Sequence, residues 1–161
     1  MKTETTTLVH VYEVYIRTTP EKLWQALTES EFTKNYFFGG TIRSEWRVGS
    51  PITHIGPNGD PMLEGEIAEI ARPHKLVHSF RPKKIKDGET PDPPSRVTYE
   101  ITPLGDVSKL TLTHEHFAGE TTTSKSTQTG WAIVLSSLKT LLETGKPLAI
   151  SSPDGKSSCG G

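Results

Sequence analysis

The feature that most constrains the fold is one long amphipathic pattern near the end of the chain. Between residues 124 and 144, apolar side chains recur at spacings of three and four, which predicts a helix with one apolar face. Gly145 and Pro147 end the pattern, as is typical of a helix C-terminus. Such a helix must cover another apolar layer, which the preceding residues have to supply. The apolar stripe consists of Trp131, Val134, Leu135, Leu138, Leu141 and Leu142.

The residues before this helix show the alternation of strands. A first strand is predicted at residues 8–17. Two short helices should follow it, because Thr19 can cap one helix that begins at Pro20, and Ser30 can cap a second. Asn58-Gly59 is a hairpin turn signal between two of the later strands. These later strands are predicted at residues 41–48, 51–55, 62–71, 75–81, 97–102 and 110–116.

This order of elements predicts an α+β fold. A twisted antiparallel sheet of six to seven strands curls, and the long C-terminal helix should lie across its concave face. Since a helix touches a curved sheet along a line, space for a ligand can remain at its ends. Gly130 has two interpretations: close approach to the sheet or to a ligand, or a helix that begins near Trp131. The domain should span residues 8–147, followed by a disordered Ser/Gly-rich tail at 148–161.

Composition and charge disfavour several classes of function. The 161 residues include 18 Lys and Arg and 19 Asp and Glu, a formal net charge of −1, so neither nucleic acid nor an anionic membrane is an expected partner. No apolar run is long enough to span a bilayer, and no signal peptide is recognisable. The lone Cys159 cannot form an internal disulfide and is interpreted as a tail residue. We therefore expect a cytoplasmic monomer.

Four histidines could converge on the cavity: His54, His78, His114 and His116. Two of them, together with Glu120, match a fragment of a cupin-like metal motif. The flanking glycines are not at the expected spacings, however, so no metal or other cofactor is predicted. The strand glutamates alternate against the apolar residues and should face water, and the sequence has no nucleophile triad, phosphate loop or CxxC. Few carboxylates on the inward face favour binding over catalysis.

Inward-facing aromatic and polar side chains form the candidate ligand site. Tyr99 and Trp131 are the strongest candidates, because helix and sheet must face each other there. Each of the others has the alternative role of a simple core residue. The loop 82–95 and the segment 36–40, Tyr-Phe-Phe-Gly-Gly, are expected to form a mobile rim; the alternative is an ordinary loop and a plain helix end. The candidate ligand-binding residues are Tyr12, Phe38, Trp46, His78, Phe80, Tyr99, His114, Trp131 and Leu135.

Four segments in order resemble one protein family. Residues 16–28, Ile-Arg-Thr-Thr-Pro-Glu-Lys-Leu-Trp-Gln-Ala-Leu-Thr, resemble the strand-to-helix opening of the family named after the activator of heat-shock protein 90 ATPase, C-terminal-domain type. The resemblance covers about residues 8–147 and implies the helix-grip fold of the START-like (SRPBCC) superfamily. The other three segments are Gly65-Glu66-Ile67 with residues 73–77, then residues 110–114, then Gly130-Trp131 with Leu135 and Leu138.

The resemblance implies a binding protein, although a fold alone does not assign a function. We predict non-enzymatic binding of a hydrophobic or aromatic small molecule, lipid or polyketide-like, between the sheet and the C-terminal helix. One alternative is a cyclase- or hydrolase-type enzyme that uses a cavity His or Tyr. Another is a chaperone-interacting module of the stress response that uses its outer surface. The eukaryotic activator makes much of its chaperone contact through a separate N-terminal domain, and we expect no such domain within these 161 residues.

Overall fold

The computed structural model describes residues 8–83, 93–117 and 122–149. Several predictions fall outside these residues: the middle of the rim loop 82–95, Glu120 of the metal-motif fragment, and the tail from residue 150 onwards with Cys159. In chain order the elements are β1 (His10–Ile16), α1 (Pro20–Thr28), α2 (Ser30–Tyr36), β2 (Thr41–Ser44), β3 (Pro51–Ile55), β4 (Pro61–Ala71), β5 (Lys75–Pro82), β6 (Ser95–Leu104), β7 (Val107–Glu115) and α3 (Thr122–Thr144).

The seven strands form one curved antiparallel sheet in the order β1-β7-β6-β5-β4-β3-β2. Strands β2 to β7 are a meander, and β1 completes the sheet beside β7. With three helices and the long α3 at the end, this is the helix-grip fold, and the α+β prediction is confirmed. One row of paired residues crosses the sheet through His10, His114, Val97, His78 and Ile67, and the next through Tyr12, Leu112, Tyr99 and Leu76.

Helix α3 lies against the inward face of the sheet. It begins at Thr122, slightly before the predicted start, and runs through Gly130 without a break. Leu138 is fully buried, and the Trp131 ring makes an edge contact with Tyr99 on β6 at 6.3 Å between centroids. Within the described residues, no helix combines the length and the apolar character that crossing a membrane requires.

The two short helices pack their apolar sides into the same core. Thr19 caps α1 as predicted, because its Oγ1 accepts a hydrogen bond from the Lys22 backbone N–H at 3.1 Å. Ser30 was expected to cap α2 but is the first residue of that helix. Its hydroxyl instead bonds both the N–H and the C=O of Ile42, each at 3.0 Å, and so ties α2 to β2.

The backbone requires glycine at two positions, one because of its φ angle and one because of a close approach between strands. Gly59 turns the β3–β4 hairpin with a φ of 91°, as the Asn-Gly signal predicted. Gly65 lies where β4 approaches β5 so closely that an added Cβ would be 1.8 Å from the carbonyl oxygen of Ser79. A larger residue at position 65 would have to push the two strands apart.

Strand β2 is shorter than the alternation of residues 41–48 indicated. It ends at Ser44, whose Oγ accepts a hydrogen bond from the Trp46 backbone N–H at 3.0 Å. This contact turns the chain, and Trp46 takes a left-handed φ of 57°. Trp46 therefore lies beyond the end of β2 and not in the predicted strand, although it still packs against the core.

Candidate functional site

An open pocket of about 330 Å³ lies between β4, β5 and the first half of α3. We call it the α3 pocket. Its walls are mainly aromatic and aliphatic, and its hydroxyl groups come from two residues of the helix. The lining residues are Phe37, Phe38, Met62, Leu63, Phe80, Pro82, Ser126, Thr127, Gly130, Trp131 and Val134.

Two consecutive phenylalanines form one wall of the α3 pocket. Phe37 follows the last residue of α2 and is buried, whereas Phe38 and Gly39 have positive φ angles of 51° and 75° that turn the chain into β2. The Phe37 ring stacks on His54 with 4.5 Å between centroids. It also makes an edge contact with Trp131 at 6.0 Å. Phe37 therefore separates the pocket from His54.

Trp131, on the opposite side, is held by a chain of buried hydrogen bonds. Its indole Nε1–H donates to His114 Nδ1 at 2.9 Å. An indole N–H can only donate, so Nδ1 accepts, and the proton of neutral His114 is on Nε2, which donates to Ser95 Oγ at 2.6 Å. The Ser95 hydroxyl donates in turn to the Phe80 carbonyl oxygen at 3.2 Å. We call this series the Trp131 chain; it joins α3 to three strands.

His114 is neutral in this arrangement. Burial, with contributions from His10 and His78, lowers its pKa from 6.5 to about 3. Protonation would add a hydrogen to Nδ1 and break the bond from Trp131. Because both ring nitrogens are engaged, His114 holds the pocket wall in place and has no free nitrogen with which to act as a base.

Two more imidazoles lie behind the lining residues. Burial and the neighbouring His78 lower the pKa of His54 to about 3, and burial lowers that of His78 to about 4. His78 Nδ1 lies 2.7 Å from the carbonyl oxygen of Ser79 and must carry the proton of the neutral ring. Among the described residues, His78 Nε2 and His54 Nδ1 have no hydrogen-bond partner. The His78 ring is 5.9 Å from that of Tyr99.

Gly130 faces the open space of the α3 pocket. A Cβ added there would meet no atom within 4 Å, so the sheet does not approach the helix closely at this point. Since α3 continues through Gly130, the interpretation in which the helix begins near Trp131 is wrong. Close approach of a ligand at Gly130 stays a prediction. The missing side chain instead leaves the pocket wider on the helix side.

The site has little charge within the described part of the chain. No carboxylate or cationic side chain is among the described residues that line the α3 pocket. Nor do any three His, Cys, Asp or Glu residues in the described ranges gather into a group that could hold a metal ion. His116, one of the four candidate histidines, is exposed at the end of β7 with a left-handed φ of 63° and lies apart from the other three.

The structure brings most of the candidate ligand-binding residues together, in two layers. Phe38, Phe80 and Trp131 line the α3 pocket itself. Four others lie behind the lining: Leu135 is a buried core residue, Tyr99 and His114 contact lining residues, and His78 contacts Tyr99. Tyr12 is half-buried on β1, where it packs against the edge of the core.

Trp46 is the exception, since it lines a different cleft of about 370 Å³ beside α1. We call this the α1 cleft. Trp24 forms part of its wall, and the Arg72 guanidinium lies 5.9 Å from the Trp24 ring centre. The lining residues of the α1 cleft are Glu21, Trp24, Gln25, Thr28, Glu29, Trp46, Arg72 and Pro73.

Several lining residues were not among the sequence candidates. Phe37 was expected only in the rim, and Val134 only in the apolar stripe of the helix. Leu63 follows the alternation of β4, a signal that could have placed it on the inward face. For Met62 no signal was available, because its position depends on how the β3–β4 hairpin is registered.

The architecture matches those of many solved structures. The Aha1 dimer from Colwellia psychrerythraea is 22% identical, with a TM-score of 0.69 over 86% of this chain and 98% of that one. An HSP90 activator from Plasmodium falciparum is 22% identical, with a TM-score of 0.67 over 83% and 95%. DynU16, from the dynemicin biosynthetic locus, is 18% identical, with a TM-score of 0.71 over 86% of this chain and 48% of that one. At these identities the likeness shows the fold alone.

Sequence comparison supplies the family. No curated protein matches the chain significantly. The model of the family described as Activator of Hsp90 ATPase homolog 1-like protein matches residues 17–143, well over half of the 161 residues. The match includes α1, α2, the strands of the meander and nearly all of α3. The protein therefore belongs to the Activator of Hsp90 ATPase homolog 1-like protein family.

Proposed function

We propose that the protein binds a hydrophobic or aromatic small molecule in the α3 pocket without catalysing a reaction. The observation that carries this proposal is an open apolar pocket with Phe37, Phe80 and Trp131 in its walls. Its volume of about 330 Å³ lies at the small end of the range for small-molecule sites, about 300–1,000 Å³. Aromatic walls of this kind suit a flat ring system or a lipid-like chain.

The ionisable groups around the pocket support binding rather than catalysis. A general base needs a free lone pair within reach of the substrate. In His114 both nitrogens are occupied by Trp131 and Ser95. Burial raises the pKa of Tyr99, which keeps its phenol protonated. None of the described lining residues is a carboxylate that could act as a general acid or base.

An enzymatic role is the first alternative. It is favoured by the similarity to DynU16, which comes from a biosynthetic locus. A cyclase- or hydrolase-type reaction would then use His78, whose Nε2 has no partner among the described residues. Chemical conversion of a molecule that binds in the α3 pocket, lost on replacement of His78 by Phe, would favour this alternative.

A chaperone-interacting role is the second alternative. It is favoured by the family description and by the similarity to the Plasmodium falciparum HSP90 activator. Such contact would use the outer surface, where Val11 and Tyr15 of β1 are exposed. A cytoplasmic location, a monomeric state, a role in the stress response and the domain bounds 8–147 stay predictions.

A titration of ¹⁵N-labelled protein separates these functions. Naphthalene and laurate represent the aromatic and lipid-like classes. We expect either to shift the Trp131 indole and Gly130 amide resonances. Shifts confined to exposed residues, and seen only when a chaperone is added, would favour the chaperone role instead.

The matched variants are Gly130→Met and Ala132→Met. The first side chain would enter the α3 pocket, because nothing lies within 4 Å of a Cβ at position 130. The second would point to solvent from the same helix, since Ala132 is exposed. Filling the pocket should weaken binding roughly tenfold or more, whereas Ala132→Met should leave the affinity unchanged. Equal effects of the two variants would contradict the location of the site.

A further inference from the structure

Two buried imidazoles near the α3 pocket have nitrogen atoms without partners. His54 on β3 is 3% exposed and His78 on β5 is 2% exposed. His54 Nδ1 and His78 Nε2 make no hydrogen bond within the described parts of the chain. Buried polar atoms are nearly always paired, because an unpaired one loses its hydrogen bond to water and gains nothing in return. These two atoms therefore need a partner that the described residues do not supply.

The tautomer of His78 defines the kind of partner. Its Nδ1 faces the Ser79 carbonyl oxygen at 2.7 Å and must donate, which leaves Nε2 as an acceptor. His54 Nδ1 is a donor in one tautomer and an acceptor in the other. A hydroxyl group can donate to an acceptor and accept from a donor, so it suits both nitrogens.

Among the described contacts, one aromatic ring separates His54 from the α3 pocket, and two separate His78 from it. Phe37 lines the pocket and stacks directly on His54 at 4.5 Å. Trp131 lines the pocket and contacts Tyr99, whose ring lies 5.9 Å from that of His78. A rotation of the Phe37 side chain would therefore connect the pocket to His54, and His78 lies close enough to His54 to lower its pKa.

We propose that His54 and His78 form a polar inner end of the α3 pocket that receives the hydroxyl group of an aromatic alcohol. The inference rests on the proposed function, since it assumes that the pocket binds a small molecule. The aromatic body occupies the space between Phe80 and Trp131, and Phe37 moves aside to admit the hydroxyl.

A neutral ligand head fits this inner end better than an ion. Burial keeps both imidazoles uncharged, with the pKa of His54 lowered to about 3 and that of His78 to about 4. Uncharged rings cannot neutralise a buried carboxylate or ammonium group, and no charged side chain lines the pocket among the described residues. A hydroxyl needs no such compensation.

Three probes of nearly equal shape test the proposal: naphthalene, 1-naphthol and 1-methoxynaphthalene. Of the three, only 1-naphthol has a hydroxyl. We expect it to bind roughly tenfold more tightly than naphthalene, the effect of one well-placed hydrogen bond to an otherwise unpaired group. Its binding should also shift the ¹⁵N resonance of His78 Nε2 away from the value of an unbonded acceptor, and naphthalene should not.

Replacing His78 by Phe should remove the preference for 1-naphthol over naphthalene. His74→Phe is the control, because His74 is an exposed residue just before β5. If naphthalene and 1-naphthol bind equally to the wild type and the His78 resonance does not move, a buried water satisfies the imidazoles and the proposal is overturned, while the proposed function stands. If none of the three probes binds, both are overturned. The ¹⁵N measurement on the wild type decides the matter if His78→Phe does not fold.

Discussion

Two clefts of similar size are lined by tryptophans: the α3 pocket, about 330 Å³, by Trp131, and the α1 cleft, about 370 Å³, by Trp24 and Trp46. In the α3 pocket, Trp131 is buried among aromatic rings and its indole N–H is bonded to His114. In the α1 cleft, Trp46 is half-buried in a turn and lies near carboxylates and the Arg72 guanidinium. Only in the first is a polar network enclosed by apolar walls.

The difference shows that an aromatic residue marks a binding site only together with its surroundings. Trp131 is fixed by a hydrogen-bond chain and presents a rigid face to an apolar space. Trp46 has no comparable anchor in the described residues beyond the backbone contact to Ser44. We therefore expect perturbations at the α3 pocket to cost far more stability than equivalent ones at the α1 cleft.

Lowering the pH should give the largest difference between the two clefts in their effect on stability. The pKa values of His54, His78 and His114 are lowered to between about 3 and about 4 in the folded protein. In the unfolded chain each is near 6.5, so below that pH the unfolded state takes up protons first and stability falls until the folded pKa is reached. Each histidine should cost about 2 kcal/mol of unfolding free energy between pH 6.5 and 5. Urea denaturation at a series of pH values measures this loss.

The control for acid sensitivity is again a pair of histidine variants. His78→Phe should flatten the pH profile, whereas His74→Phe, at an exposed position, should leave it as in the wild type. The α1 cleft has no histidine among its described lining residues. A stability that stays constant from pH 7 to 5 would show that these imidazoles are not buried as described.

Truncation of the two tryptophans should give the next largest difference. Trp131→Ala removes a buried ring and leaves His114 Nδ1 without its donor, which should cost about 3–5 kcal/mol. Trp46→Ala should cost about 1 kcal/mol or less, because the side chain is half-buried and makes no hydrogen bond through its ring in the described structure. Chemical denaturation of both variants tests the comparison, and similar losses would contradict it.

Serine replacements test the hydrogen bonds alone. Ser95→Ala interrupts the Trp131 chain and leaves the buried His114 Nε2–H unpaired, for an expected cost of about 1–3 kcal/mol. Ser44→Ala removes the bond from the Trp46 backbone N–H and the bond with the Ser50 hydroxyl in a half-buried turn, where water can replace both, and should cost about 0.5–1 kcal/mol. Thermal unfolding of the two variants would show whether the order is reversed.

The smallest expected effect has the opposite sign. Gly130→Ala should stabilise the protein by about 1 kcal/mol through helix propensity, since the added Cβ meets no atom within 4 Å. The reverse change at an exposed neighbour, Ala132→Gly, should destabilise it by about the same amount. A loss of stability in Gly130→Ala, measured by denaturation, would mean that the space beside the helix is not open.

Most of the fold could be predicted from two periodicities. The spacing of Leu135 and Leu138 indicated the final helix, and the alternation at Val97 and Tyr99 indicated buried strands. Each of these two patterns depends only on residues close together in the sequence. A long helix or strand repeats its pattern several times, which makes it easy to recognise. These patterns failed at Trp46, because β2 ends at Ser44, whose hydroxyl oxygen accepts a hydrogen bond from the Trp46 backbone N–H.

The candidate site was less predictable, because it depends on contacts between distant segments. The partnership of Trp131 with His114 requires that α3 lie across β7, and the stack of Phe37 on His54 requires that α2 end above β3. No sequence pattern shows that a histidine will lack a partner. That property appears only when the surrounding elements are all in place.

The pairing of β1 with β7 has a consequence for how the chain folds. His10 pairs with His114, so the first strand has no strand neighbour until almost the whole sheet has been made. Closing so long a loop costs conformational entropy before the β1–β7 contacts can stabilise the chain. Contacts between residues far apart in sequence therefore slow folding. On a ribosome, β2 to β6 can pair in the order of their synthesis, whereas β1 can pair only after β7 has been synthesised. A nascent chain would therefore keep its first strand, with the apolar Val11 and Tyr15, available to other partners for longer than any other part of the sheet.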